Sequence, residues 1–202
     1  LLQVEQTAFE TALAAFRDNS AFERASAQIA RSRRRFVIGR GSSQSHALTF
    51  AAELKASLSQ VHPIIAPATD HLDLLADVRP TDVLIAFCLS PYRRDTVEIS
   101  KLYVASGGTL LLITDSADSP LSAFASEQII VPSAAREPAA SSLAVFLAIQ
   151  ILAQLASASS KGALRRTQER ERISELLELH TPDMRWIGRG SEPPSGNGFG
   201  FE

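Results

Sequence analysis

Two runs of this sequence, Val83-Leu84-Ile85-Ala86-Phe87 and Leu110-Leu111-Leu112-Ile113, are apolar at every position. A strand with one face in water alternates apolar and polar side chains, because successive residues point to opposite faces. A strand without that alternation is covered on both faces, which is the signature of a parallel sheet sandwiched by helices. The rest of the pattern agrees. Strands are expected at 36–39, 62–65, 82–87, 109–113 and 128–131, with helices at 44–59, 70–77 and 94–106 between them. The expected fold is therefore α/β, a doubly wound parallel five-stranded sheet flanked by helices, with N- and C-terminal helical extensions. In such sheets ligands lie beyond the C-terminal strand ends, where the strand order reverses.

Composition narrows the function classes. The formal net charge is -2 over 202 residues, so no overall field draws the chain to DNA or to an anionic membrane. The single cysteine, Cys88, cannot form an internal disulfide or a cysteine-based metal site, which suits a reducing cytoplasm. His46, His62, His71 and His180 show no ligand spacing, and neither a metal nor a cofactor is expected. The longest apolar run, around 143–155, is interrupted by Gln150 and Gln154 and is too short to span a bilayer.

The two ends of the chain are helical by period. In residues 1–31, Val4, Ala8, Leu13 and Phe16 recur at roughly helical spacing, and Asp18-Asn19-Ser20 ends one helix and caps the next. The first helix is a candidate for pairing with a second copy. Arg31, Arg33, Arg34 and Arg35 follow, read as a solvated helix end. The sheet domain is expected over 32–157, closing on an apolar helix at 139–157 that serves as core or dimer seam. A charged helical segment over 158–186 and a disordered Gly- and Pro-rich tail over 187–202 complete the chain. Because the sequence opens at Leu1 inside a helix, a preceding segment is expected.

Chemistry concentrates at the strand ends. Phe36-Val37-Ile38 runs into Gly39-Arg40-Gly41-Ser42-Ser43, where glycines permit a sharp turn and a helix N-terminus offers amides and hydroxyls to an anion. This is not a dinucleotide fingerprint, since Gln44 stands where a third glycine belongs and no carboxylate follows Ile64-Ile65-Ala66-Pro67. It is not a P-loop either, for the chain has no Gly-Lys pair. Ser90-Pro91-Tyr92-Arg93-Arg94-Asp95-Thr96 follows the third strand, and Thr114, Asp115, Ser116 and Ser119 follow the fourth. Hydroxyls at all three ends, with arginines at the third strand, suit a polyhydroxylated, phosphorylated small molecule. The plainer alternative is an ordinary set of tight strand-to-helix turns.

Taken together, Gly39-x-Gly41-x-Ser43, the loop leading to Thr96-Val97-Glu98, and Ile113-Thr114-Asp115 with Ser119-Pro120-Leu121 resemble the SIS (sugar isomerase) domain, a phosphosugar-binding fold. The loop 90–96 is similar to the Pro-Pro-Tyr-Ser-Arg-Glu-Thr version found in RpiR-type transcription regulators. In those proteins a helix-turn-helix domain binds DNA and the SIS domain senses a sugar phosphate. The resemblance implies Gly41, Ser42, Ser43, Ser90, Tyr92, Arg94 and Thr96 as ligand contacts, no catalytic residue, a cytoplasmic homodimer or tetramer, and DNA binding only through a domain outside this chain. An aldose-ketose sugar phosphate isomerase is the alternative, with Glu98, Glu53 and His46 as its possible acid-base groups, each of which also reads as an ordinary helix-surface residue. The common SIS phosphate loop reads Ser-x-Ser-Gly-x-Ser/Thr, whereas Cys88 stands at its first serine and the Ser-Gly pair is missing. A dimerisation module with a degenerate pocket is accordingly a second alternative.

Overall fold

The computed structural model describes residues 2–65, 71–132 and 142–179. In chain order the elements are α1 (Leu2–Phe16), α2 (Ala21–Arg31), β1 (Arg35–Gly39), α3 (Ser43–Ser57), β2 (Val61–Ile64), α4 (His71–Ala76), β3 (Val83–Cys88), α5 (Arg94–Ala105), β4 (Thr109–Thr114), β5 (Glu127–Ile130), α6 (Leu143–Ala158) and α7 (Ala163–Leu176). The five strands form one sheet in the order β2-β1-β3-β4-β5, and every neighbouring pair is parallel. The unbroken apolar runs are the inner strands, as their lack of alternation requires: all six residues of β3 are buried.

Period-two geometry sorts those residues onto two faces. Val83, Ile85 and Phe87 join Val37, Leu111, Ile113 and Ile129 under α1, α2, α3 and α6. Leu84, Ala86 and Cys88 join Ile38, Ile64, Leu110 and Leu112 against Leu74, Val97, Ile99 and Tyr103 of α4 and α5. Helix α6 buries Ala144, Val145, Ala148, Ile149, Leu152, Ala153 and Ala156, whose three- and four-residue spacing is one helical face. It leaves Leu143 and Phe146 partly exposed. The border strand β2 is four residues long and contains Pro63, in register with Val37.

Within the basic cluster Arg31 and Arg33 are exposed, as the sequence suggests, whereas Arg34 and Arg35 depart from a solvated helix end. Arg35 is buried and begins β1; its guanidinium donates to the carbonyls of Ile29, Ala30 and Ser59, so it closes the C-terminus of α2 from within the fold. Arg34 is held by Asp77 and Asp82. Burial is favourable here because three carbonyls, two at the end of α2 and one in the α3–β2 turn, are satisfied by one rigid cation. At the start of α2 it is Asn19, not Ser20, whose side chain caps, accepting the Ala21 N–H at 3.0 Å.

The chain divides into two compact units, residues 1–167 and 168–202. The sheet and its helices lie in the first, where Ala163 is buried and Arg166 donates to the Lys55 carbonyl. The described part of the second, 168–179, carries an Arg172–Glu169 ion pair and exposes Leu176, Leu177 and Leu179. The expected strand and helix over 62–65 and 70–77 end at Ile64 and begin at His71; residue 70, residues 139–141 of the expected apolar helix, and the 187–202 tail lie outside the described residues. Among the described residues, no single helix is long and apolar enough to cross a membrane.

Candidate functional site

The strand order reverses between β1 and β3, whose connections leave in opposite directions, α3 to one face and α5 to the other. The loops after these two strands therefore diverge and open a crevice. Gly39 ends β1 directly beneath the first turn of α3: a Cβ there would stand 2.4 Å from the Ser43 carbonyl oxygen. Gly41 has φ +61°, the left-handed conformation that glycine adopts freely. The turn folds its own carbonyls back onto the helix, so the Ser43 and Gln44 N–H groups donate to Arg40 and Gly41. The helix terminus thus does not offer those two amides to a ligand, contrary to the sequence-based expectation of free amides.

The loop after β3 is latched to β4. Both oxygens of Asp115 are used: one accepts the Ser90 N–H and the other the Tyr92 hydroxyl, each at 3.1 Å. Burial first, and then the Asp115 charge, hold the Tyr92 phenol above its ordinary pKa, so it stays protonated and donates. Thr114 donates to the Cys88 carbonyl and Ser119 is buried. The end of β4 consequently braces the neighbouring loop, while the hydroxyl of Thr114 is spent inside the sheet.

Beyond this brace lies an open cleft of about 570 Å³ lined by Tyr92, Arg93, Arg94, Asp95 and Glu98. The β1 loop meets it: a Cβ on Gly41 would touch the Arg93 side chain at 3.5 Å, and Arg40 Nε lies 3.9 Å from Asp95. Arg40 is 4% exposed, donates through Nη2 to His71 Nε2 at 2.7 Å, and has no partner for Nε or Nη1 among the described residues.

The expected contacts separate into three groups. Tyr92 and Arg94 line the cleft, and Gly41 abuts Arg93 beside it. Ser42 and Ser90 are exposed on the two loops, with the Ser90 amide taken by Asp115. Ser43 and Thr96 are buried in the first turns of α3 and α5, and the Thr96 hydroxyl has no partner among the described residues. Sequence reasoning assigned arginine only to the β3 loop and missed Arg40 at the end of β1, together with His71 and Asp95. A cation between two turn glycines was the available signal.

The groups that an isomerase would need are dispersed. Glu53 is exposed on α3, and Glu98 is exposed on α5 beside Lys101. His46 is 6% exposed rather than on the helix surface, packed against Phe87 and Phe146, and burial lowers its pKa and favours the neutral ring. It lies on the α3 face of the sheet, opposite to α5. Burial also holds the Cys88 thiol above its ordinary pKa. Among the described residues, no group of three or more His, Cys, Asp or Glu side chains is placed to hold a metal ion.

Comparison with known proteins follows the same geometry. Solved structures with this fold include the sugar isomerase domain of an RpiR transcription factor from Sphaerobacter thermophilus, at 23% identity over 85% of this chain and 96% of that one, with a TM-score of 0.76. The Vibrio vulnificus NanR protein complexed with ManNAc-6P matches at 15% identity over 87% of this chain and 69% of that one, TM-score 0.71. An Escherichia coli CFT073 protein, c3406, solved as a complex, matches at 17% identity over 89% and 95% of the two chains, TM-score 0.60. No curated protein matches the chain by sequence. The SIS domain model matches residues 28–158, which take in the whole sheet, both loops of the crevice and the buried helix α6. With that match spanning more than half of its length, the chain belongs to the SIS domain family.

Proposed function

We propose that this chain is the sugar-phosphate-sensing effector domain of an RpiR-type transcription regulator, whose contact with DNA is made by a helix-turn-helix outside residues 1–202. The single observation that supports this best is the cleft lined by the loop after β3 and the start of α5, with Gly41 of the β1 loop beside its Arg93 wall. Hydroxyls and guanidinium groups at one strand-order reversal suit a ligand that is both anionic and polyhydroxylated. The solved structures of similar fold include an RpiR transcription factor and a protein complexed with ManNAc-6P. Gly41, Ser42, Ser43, Ser90, Tyr92, Arg94 and Thr96 are the proposed contacts. On this reading the domain lies over 32–157, binds without turnover, and acts in the cytoplasm as a homodimer or tetramer assembled through α1.

Binding without turnover has a direct measurement. A ligand at about 100 times its Kd stabilises the folded state by about 2.7 kcal/mol, so a panel of sugar phosphates at millimolar concentration should include one that raises the melting temperature by several degrees. A melting point unmoved by the whole panel would count against the sensor reading.

A further inference from the structure

Arg40 is buried, charged and only partly satisfied. Of its donors, Nη2 reaches His71 Nε2 at 2.7 Å, while Nε and Nη1 have no hydrogen-bond partner among the described residues. Arginine has no acceptor, so His71 must accept through Nε2 and carry its own proton on Nδ1. The histidine therefore fixes the guanidinium plane without neutralising it. Among the described residues, the carboxylate closest to compensating the charge is Asp95, and it fits poorly. Its oxygens lie 3.9 Å from Arg40 Nε and 3.6 Å from Arg93 Nε, both beyond hydrogen-bond distance. Asp95 is also divided in its attention, since one oxygen accepts the Thr96 N–H at 3.0 Å. Nearby, in the first turn of α5, Thr96 is 1% exposed and its hydroxyl has no partner among the described residues. A buried guanidinium with two nitrogens still unpaired among the described residues can donate charge-assisted hydrogen bonds to an oxyanion, which Asp95 at these distances does not accept.

Arg40 lies behind Asp95, which lines the cleft, rather than in the cleft wall itself. We propose that Asp95 is a resident counter-ion which an incoming phosphate displaces, and that Arg40 is the main group that then binds the anion. The inference rests on the sensor reading above for the identity of the sugar, but not for the anion. It transfers the anion-binding role from the loop after β3, where the Ser-Gly pair is missing, to the loop after β1.

The test uses the 202-residue chain with inorganic phosphate as the probe, titrated by calorimetry, and then with the sugar phosphate panel. Arg40→Gln should weaken phosphate binding by about tenfold or more, the loss expected for a charge-assisted hydrogen bond. Asp95→Asn should tighten it by about two- to fivefold, because a partly exposed competing ion pair is removed. Equal phosphate affinity in the parent chain and Arg40→Gln, or no phosphate binding by the parent chain, overturns the assignment. Should Arg40→Gln fail to fold, Asp95→Asn decides: unchanged or weaker binding overturns the displacement. The two readings part cleanly. Sugar phosphate binding that survives Arg40→Gln removes the Arg40 proposal and leaves the sensor standing. Phosphate binding that depends on Arg40, with no sugar phosphate binding more tightly than phosphate itself, does the reverse.

Discussion

At Gly39 the backbone of β1 passes so close to α3 that a methyl group has nowhere to go. An added Cβ would stand 2.4 Å from the Ser43 carbonyl oxygen and 3.2 Å from the Ala47 side chain. Neither obstacle is a flexible side-chain tip, so Gly39→Ala must push the helix off the strand. The expected cost is about 2 to 3 kcal/mol of stability, the range of an overpacked core, read as a lower urea midpoint with an unchanged slope. A wild-type midpoint would mean that the helix yields freely. Gly39 and Gly41 were both legible from sequence, because a glycine between an apolar run and a helix marks a turn that side chains cannot enter. Arg40, between them, was equally visible but not interpretable. Whether it faces water or is buried depends on His71 and Asp95, which arrive from the first turns of two helices, α4 and α5. Arg35 shows the same difficulty: its burial is set by carbonyls at Ile29, Ala30 and Ser59, and no local pattern announces that.

Elements were easier to read than their ends. The unbroken apolar runs placed β3 and β4, since two covered faces leave no alternation to detect. The extra residues at their C-terminal ends, Cys88 and Thr114, were not foreseen. They pair with each other in the ladder, and Thr114 donates to the Cys88 carbonyl, a cross-strand contact that neither run shows alone. Immediately beyond, Asp115 holds the β3-α5 loop through the Ser90 amide and the Tyr92 hydroxyl. Asp115→Ala removes both acceptors. Hydrogen bonds to a charged group contribute about 1.5 to 3 kcal/mol when protected, and this partly exposed pair warrants the lower end. The expected outcome is a loss of about 1 to 2 kcal/mol in global stability with a much larger rise in amide exchange at Ser90. Unchanged exchange there would show that the loop keeps its shape without the latch.

For the molecule as a whole, a parallel doubly wound sheet was legible, while the order β2-β1-β3-β4-β5 was not, because it depends on which face each crossover takes. Assembly belongs to this scale. Helix α1 buries Ala12 and Phe16 but leaves Val4, Phe9 and Leu13 substantially exposed, and a groove of about 340 Å³ opens beside it, its apolar wall of Leu13, Phe16, Phe22, Ile151 and Leu155 rimmed by Arg17, Asn19 and Glu23. If copies of the chain pair through α1, Leu13→Glu should convert a dimer to a monomer in sedimentation at micromolar concentration, since a charge would enter an apolar contact. A parent chain that sediments as a monomer under the same conditions would defeat that arrangement. The border strand β2 narrows the alternatives further. With four residues, one of them Pro63, it has few N–H groups with which to template another strand. Growth by stitching sheets from separate molecules into a continuous ribbon is thereby discouraged on that flank, so the fold carries its own protection against fibre formation next to the crevice it keeps open.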